Sequence, residues 1–243
     1  MKTRLAIVLI ALMAFACAES PKSDNAEVAD AKEVNKVEEA VSYTVSDESH
    51  VTWIGTKLNG QHNGTIAISE GAIEVKEGDI VGANITIDLN QIDVLDLEGE
   101  YEDKLVGHLQ SPDFFMTDSF PTATFELTSV AAYTADSTTT EGDDESDLKV
   151  QDPTHTLTGN LTMRGTTKSI SFPAKVSTEG DAVTAVANFN IDRTQWGVSY
   201  NADSGVGDIA KDKVINNTVN VGFNLTATKP APATETAPAT SAE

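Results

Sequence analysis

Period-two alternation of apolar and polar residues constrains this chain more than any other feature, because it recurs in segment after segment and leaves little room for helix. Val51 and Trp53 share one face of the first such segment; Ile66 with Ile68, then Ile73 with Val75, follow. Ile85, Ile87 and Leu89 alternate with Asn84, Thr86, Asp88 and Asn90, and Phe125 and Leu127 with Thr124, Glu126 and Thr128. Leu157, Gly159, Leu161 and Met163 form another set, as do Ile170, Phe172, Ala174 and Val176. Val183, Ala185, Ala187, Phe189 and Ile191 come next, and Val219, Val221, Phe223 and Leu225 close the series. The pattern predicts roughly eight to ten strands, each with one apolar face and one face of Thr, Asn and Asp.

Turn signals break the pattern at Asn59-Gly60, Glu70-Gly71, Glu77-Gly78, Arg164-Gly165 and Glu179-Gly180, where a glycine supplies the positive φ of a tight hairpin. Short connections make successive strands antiparallel neighbours. A meander of this length must deal with its edges, and closure into an antiparallel β-barrel of about eight strands does so; a two-layer sandwich is the alternative. The stretch from Glu102 to Leu109, with Leu105 and Leu109 one turn apart, predicts a single short helix. The apolar faces point inward, since the other faces suit water. Trp53, Phe125 and Phe189 therefore face the interior. Many inward residues are small, Gly159 among them, so the interior is expected to be an elongated apolar cavity that suits a hydrophobic tail.

Not all of the 243 residues are available to this domain. Lys2 and Arg4 precede the apolar run Leu5 to Phe15, the layout of an export signal over 1–16. Cys17, the single cysteine, follows at once, as in a lipoprotein whose cysteine carries a lipid and holds the chain at a membrane of the cell envelope or periplasm. Cleavage at an A-x-A site and plain secretion is the alternative. Residues 17–41 are poor in large apolar groups and read as a flexible tether, with a short amphipathic helix around Val28, Val34 and Val37 as a variant. The barrel domain then covers 42–228, with a long acidic insert at 134–153 and a Pro/Ala/Thr tail at 229–243. Asp143, Asp144 and Glu145 in the insert have no EF-hand spacing and read as a solvated loop. A lone cysteine forms no internal disulfide, so stability must come from the core. The net charge of −22 excludes nucleic acid as a partner.

The residues of catalysis are missing from the pattern. His50, His62, His108 and His155 have no metal-ligand spacing, and there is no nucleophile elbow, phosphate loop or dinucleotide fingerprint. The run Asp203 to Asp208 reads as a Gly/Asp turn. No catalytic residue, metal site or obligate cofactor is expected.

One irregular segment holds half of the eight phenylalanines: Phe114, Phe115, Phe120 and Phe125 lie in "SPDFFMTDSFPTATF", punctuated by Pro112 and Pro121. With its preceding "HLQ" it resembles the signature of the YceI-like family, a His-Leu, a Ser-x-Asp-Phe-Phe and a Phe-Pro-Thr-x-x-Phe in this order. "YTVSDESHVTWIGTK", "LTGNLTMRGTTKSISFPAKV" and "FNIDRTQWGV" resemble that family's first strand, central hairpin and Asp-Arg-x-x-Trp-Gly motif. The likeness runs in order from about Tyr43 to Leu225, and the 134–153 insert is longer than the family's usual connection. It implies a lipocalin-like barrel that binds polyisoprenoid chains, such as quinones or isoprenoid lipids, without catalysis. The Phe-rich segment would then plug or line the barrel mouth, with Pro121 opening the next strand. Phe114, Phe115 and Phe125 become lining or cap, and a bland role in sealing the core is the alternative. His108, Arg193 and Trp196 become candidate contacts near a ligand headgroup. His108 as a structural hydrogen-bonder and Arg193 as an ion-pair partner of Asp192 are the alternatives. The competing function is a membrane-tethered interaction lipoprotein with a filled barrel.

Overall fold

The computed structural model describes residues 21–35, 37–135, 148–203 and 211–230. The export signal, Cys17, Asp143 to Glu145 and nearly all of the 229–243 tail lie outside these residues.

Two strands, β2 (Val41–Val45) and β3 (His50–Lys57), are followed by the long β4 (Gly60–Lys76) and β5 (Asp79–Val94). A helix, α1 (Glu100–Gln110), leads to β6 (Thr122–Ala132) and β7 (His155–Met163). Next come β8 (Thr166–Glu179), β9 (Ala182–Asp192) and β10 (Ile215–Thr228); ahead of all of them stands β1 (Glu27–Asp30). Each of β4 to β10 pairs antiparallel with the next. β2 and β3 share one place between β4 and β10, β2 covering the far end and β3 the near end. The ring therefore closes through eight positions, a barrel and not a sandwich. Closure satisfies every strand edge that a sandwich would leave open.

The hairpin chemistry is largely as expected. Glu77 and Gly78 both have positive φ, as do Arg164 and Gly165, the type I′ geometry that matches strand twist. Glu70-Gly71 is the exception: β4 runs straight through it. The register against β5 shifts on either side of Ile68, and here β4 exchanges partners, from β3 at His50↔Ala67 to β2 at Thr44↔Ala72. A Cβ on Gly71 would lie 2.7 Å from the Val45 side chain. This glycine makes room for close packing at a bulge and does not turn the chain.

The expectation of a flexible 17–41 tether needs correction, and so does its helical variant. β1 pairs with β8, Glu27 opposite Ser171 and Asp30 opposite Lys168. β9 pairs with β8 only from Ala182 to Ala187, and its later residues diverge. The N-terminal segment fills the wedge this leaves: the Asn190 N–H donates to the Asp24 carbonyl, and the Ala26 N–H donates to the Asn190 carbonyl. The Asn160 amide grips Lys32 through its N–H and its carbonyl, and the Asn190 amide donates to the carbonyls of Pro21 and Ser23. Main-chain pairing and borrowed Asn side chains order a segment that brings little apolar surface of its own.

Candidate functional site

The inward residues do not fill the barrel. Two apolar lobes run along its axis and share a waist of Val51, Ile87, Leu161, Ile191 and Val221. The lower lobe, about 100 Å³, is walled by Ile68, Ile73, Ile85, Leu127, Ala185 and Leu225 together with Phe125, Phe172 and Phe189. The upper lobe, about 160 Å³, is walled by Trp53, Ile66, Leu89, Leu109, Phe114, Phe115 and Met163. Phe172 stacks on Phe189 with ring centroids 4.1 Å apart, and Phe125 and Phe223 lean on the same ring at 5.9 and 5.8 Å. Gly159 allows this: a Cβ there would fall 2.3 Å from Cζ of Phe125. A glycine pointing inward is thus the seat of an aromatic ring.

The upper lobe is closed by the Phe-rich segment. α1 carries Glu100, Glu102 and Asp103 in its first turn, where the helix dipole favours acids, and buries Leu109. Hydrogen-bonded turns follow: the Phe115 N–H donates to Leu109, the Thr117 N–H to Gln110 and the Phe120 N–H to Met116. They turn Phe114 down into the core, and the Arg164 guanidinium holds the Phe114 carbonyl. Pro121 stands just ahead of β6, and its carbonyl accepts from Leu89. This is the place for a residue without an N–H.

Five apolar candidates from the sequence, Trp53, Phe114, Phe115, Phe125 and Phe189, lie on the cavity wall. The polar candidates separate from them. Trp196 is 0% exposed and donates its indole N–H to the Leu161 carbonyl at 2.9 Å. It is a core pillar beside the cavity and does not line it. His108 sits outside the plug, with Nε2 3.0 Å from Asp113 and its ring edge-on to Phe114 and Tyr200. Arg193 touches the upper lobe, but its head is turned to the main chain. It donates to the carbonyls of Val198, Tyr200, Ile215 and Asn216, and burial pulls its pKa down, Asp192 opposing this. Asp192 accepts from the Thr194 N–H and hydroxyl, so the expected ion pair is replaced by a carbonyl latch that holds the loop after β9. Alternation found the wall because it reports which face is inside. It missed α1's Leu109 and the aliphatic bulk of both lobes, which carry no distinctive residue type.

Among the described residues no group of three His, Cys, Asp or Glu side chains is placed to hold a metal. The match to Protein YceI of Salmonella arizonae and of Salmonella newport is 36% identical over 98 residues. It covers 40% of this chain and spans 39% of the length of either relative. Among solved structures, BcnA of Burkholderia cenocepacia superposes with a TM-score of 0.53 at 20% identity, covering 74% of this chain and 97% of that one. A polyisoprenoid binding domain from Saccharophagus degradans superposes at 0.51 and 13% identity, covering 78% and 99%. At these identities the two structures share the barrel fold. The YceI-like domain matches residues 40–227, which take in every barrel strand but β1 and the last residue of β10, and the chain belongs to the YceI-like family.

Proposed function

We propose that this protein is a non-enzymatic binder of an isoprenoid lipid, which it stores or carries in the barrel cavity as an exported lipoprotein anchored through Cys17. The observation that carries the reading is the two-lobed cavity, walled almost wholly by aliphatic and aromatic side chains. An apolar chain buried there gains about 0.8 kcal/mol per CH₂, and nothing on the wall resembles a nucleophile with its base. The S. degradans domain, named for polyisoprenoid binding, is consistent with it. The apolar wall residues Trp53, Phe114, Phe115, Phe125 and Phe189 are the proposed ligand contacts. The export pattern of 1–16 and the position of Cys17 support an envelope location with a membrane anchor.

One observation favours a second reading, an interaction lipoprotein with a filled barrel: neither lobe reaches the ~300 Å³ at which ligand pockets usually begin. Binding of a prenylquinone to the wild type and to Ala185→Phe separates the two. Ala185 is on the lower wall, so the new ring blocks that lobe. The binding reading expects the wild type to bind and Ala185→Phe, folded by circular dichroism, to bind at least tenfold more weakly. No binding by the wild type leaves the filled-barrel reading standing.

A further inference from the structure

The chain has two tryptophans, and their indole N–H groups meet opposite fates. That of Trp196 is satisfied by the Leu161 carbonyl. That of Trp53 is buried and has no acceptor, the one such buried side-chain polar atom among the described residues. A buried donor without a partner is costly, and a phenylalanine at this place on β3 would avoid the cost. The indole is also held in position: its ring lies against Gly64 on the neighbouring strand, where an added Cβ would come within 2.8 Å of Cε2 and Cζ2. The ring cannot slide across β4 toward solvent without meeting that backbone.

Trp53 belongs to the upper lobe, the one closed by Leu109, Phe114 and Phe115. The single charged residue on the same wall, Arg193, spends four of its five N–H groups on carbonyls. A water is a poor partner for the indole here, because a buried water needs two to four polar neighbours and the wall supplies few. A ligand oxygen needs only this one donor.

We infer that Trp53 selects the ligand: its Nε1–H donates to a neutral oxygen, a carbonyl or hydroxyl, on an isoprenoid chain seated in the upper lobe. The proposal rests on the binding reading above and narrows it. A bare hydrocarbon leaves the donor unmade, and a site built around a hydrogen-bond donor discriminates against an analogue that lacks the acceptor. A prenyl phosphate fits poorly, because Arg193 is committed and no other cation lines the lobe. That leaves prenylquinones and prenols as the class.

The test compares three probes of equal isoprene number, a prenylquinone, a prenyl hydrocarbon and a prenyl phosphate, on the wild type and on Trp53→Phe. The wild type should bind the quinone about fivefold more tightly than the hydrocarbon, the ratio one net hydrogen bond carries. Trp53→Phe should lose that preference by weakening the quinone alone. In ¹H–¹⁵N spectra of the wild type, the Trp53 indole proton should move downfield with the quinone and not with the hydrocarbon, while the Trp196 signal stays. This second readout stands even where the variant does not fold. Equal wild-type affinities for quinone and hydrocarbon, a preference that survives Trp53→Phe, or an unmoved Trp53 signal overturns the inference and leaves the binding reading intact. Tightest binding of the phosphate overturns it as well. No binding of any probe overturns the binding reading, and this inference with it.

Discussion

The barrel has two buried regions built from alternate residues of the same strands, and they are held by different forces. On the inside of β9, Ala185, Ala187, Phe189 and Ile191 face the apolar interior. On the outside of the same strand, Asn190 is equally buried, together with Asn160, Ser169 and Asn220 from its neighbours. Asn220 donates to the Asn188 and Asn190 side chains and to the Phe189 carbonyl. Asn160 and Asn190 hold the N-terminal segment over the seam. The inner region is stabilised by area removed from water, which tolerates many apolar choices. The outer region depends on particular donors and acceptors, and each one left unpaired is expensive. Alternation therefore reports which way a residue points, and leaves open whether the polar face meets water or another piece of chain.

The largest expected effect tests the inner region. Phe172→Ala removes the centre of the aromatic stack and should cost roughly 3 to 5 kcal/mol in denaturant unfolding. A bound prenylquinone should recover part of that loss, since the chain occupies space beside the missing ring. Recovery that is absent in Phe172→Ala yet present in an outer-face variant would break the contrast.

Asn190→Ala tests the outer region and should cost about 1 to 3 kcal/mol, through two orphaned carbonyls and one lost acceptor. Hydrogen exchange of the amides from Glu27 to Asp30 should quicken, while prenylquinone affinity stays unchanged. Unaltered exchange in that strand would remove Asn190 as its clamp.

The smallest effect sharpens the comparison with polar groups that do meet water. Asp88 is held below the ordinary carboxylate pKa by hydrogen bonds from Gln91 and Asn90, against a small burial cost. For Asp96 burial pushes upward, but the Asn63 N–H and the His62 ring outweigh it and the net shift is down. A lowered folded-state pKa means stability that is complete above the unfolded carboxylate value near 3.8. It is lost as pH falls through the folded value. Melting temperature should therefore drop slightly below about pH 4, and Asp96→Asn should flatten that acid limb without changing ligand binding. A limb identical in the variant would show that Asp96 contributes nothing there.

Much of the interior was legible in advance. Trp53, Phe125 and Phe189 sit on apolar faces of alternating segments and line the cavity, as their positions predict. The Phe114–Phe115 plug was readable from its proline punctuation and its likeness to a family signature. The misreadings share a cause. Glu70-Gly71 has the composition of a turn and serves as a bulge, because Val45, 26 positions earlier in the chain, packs on the glycine. Arg193 and Trp196 look like site residues by type, yet carbonyls of distant loops claim their donors. In each case the deciding partner lies far away in sequence.

Periodicity, hairpin dipeptides and one short helical pattern were enough to determine an all-β chain of antiparallel neighbours with an apolar inner face. Each of these signals is local and follows from the two-residue repeat of a strand. Tertiary structure alone decided the rest. Closure through eight positions depends on strand register, since β10 must meet β3 across more than 150 residues. β1 exists because β8 and β9 diverge and leave main-chain groups unpaired, and its own sequence is that of a linker. The unpartnered N–H of Trp53 and the satisfied one of Trp196 belong to the same residue type. What separates them is whether folding brings a carbonyl within reach, and that depends on geometry set by the whole barrel.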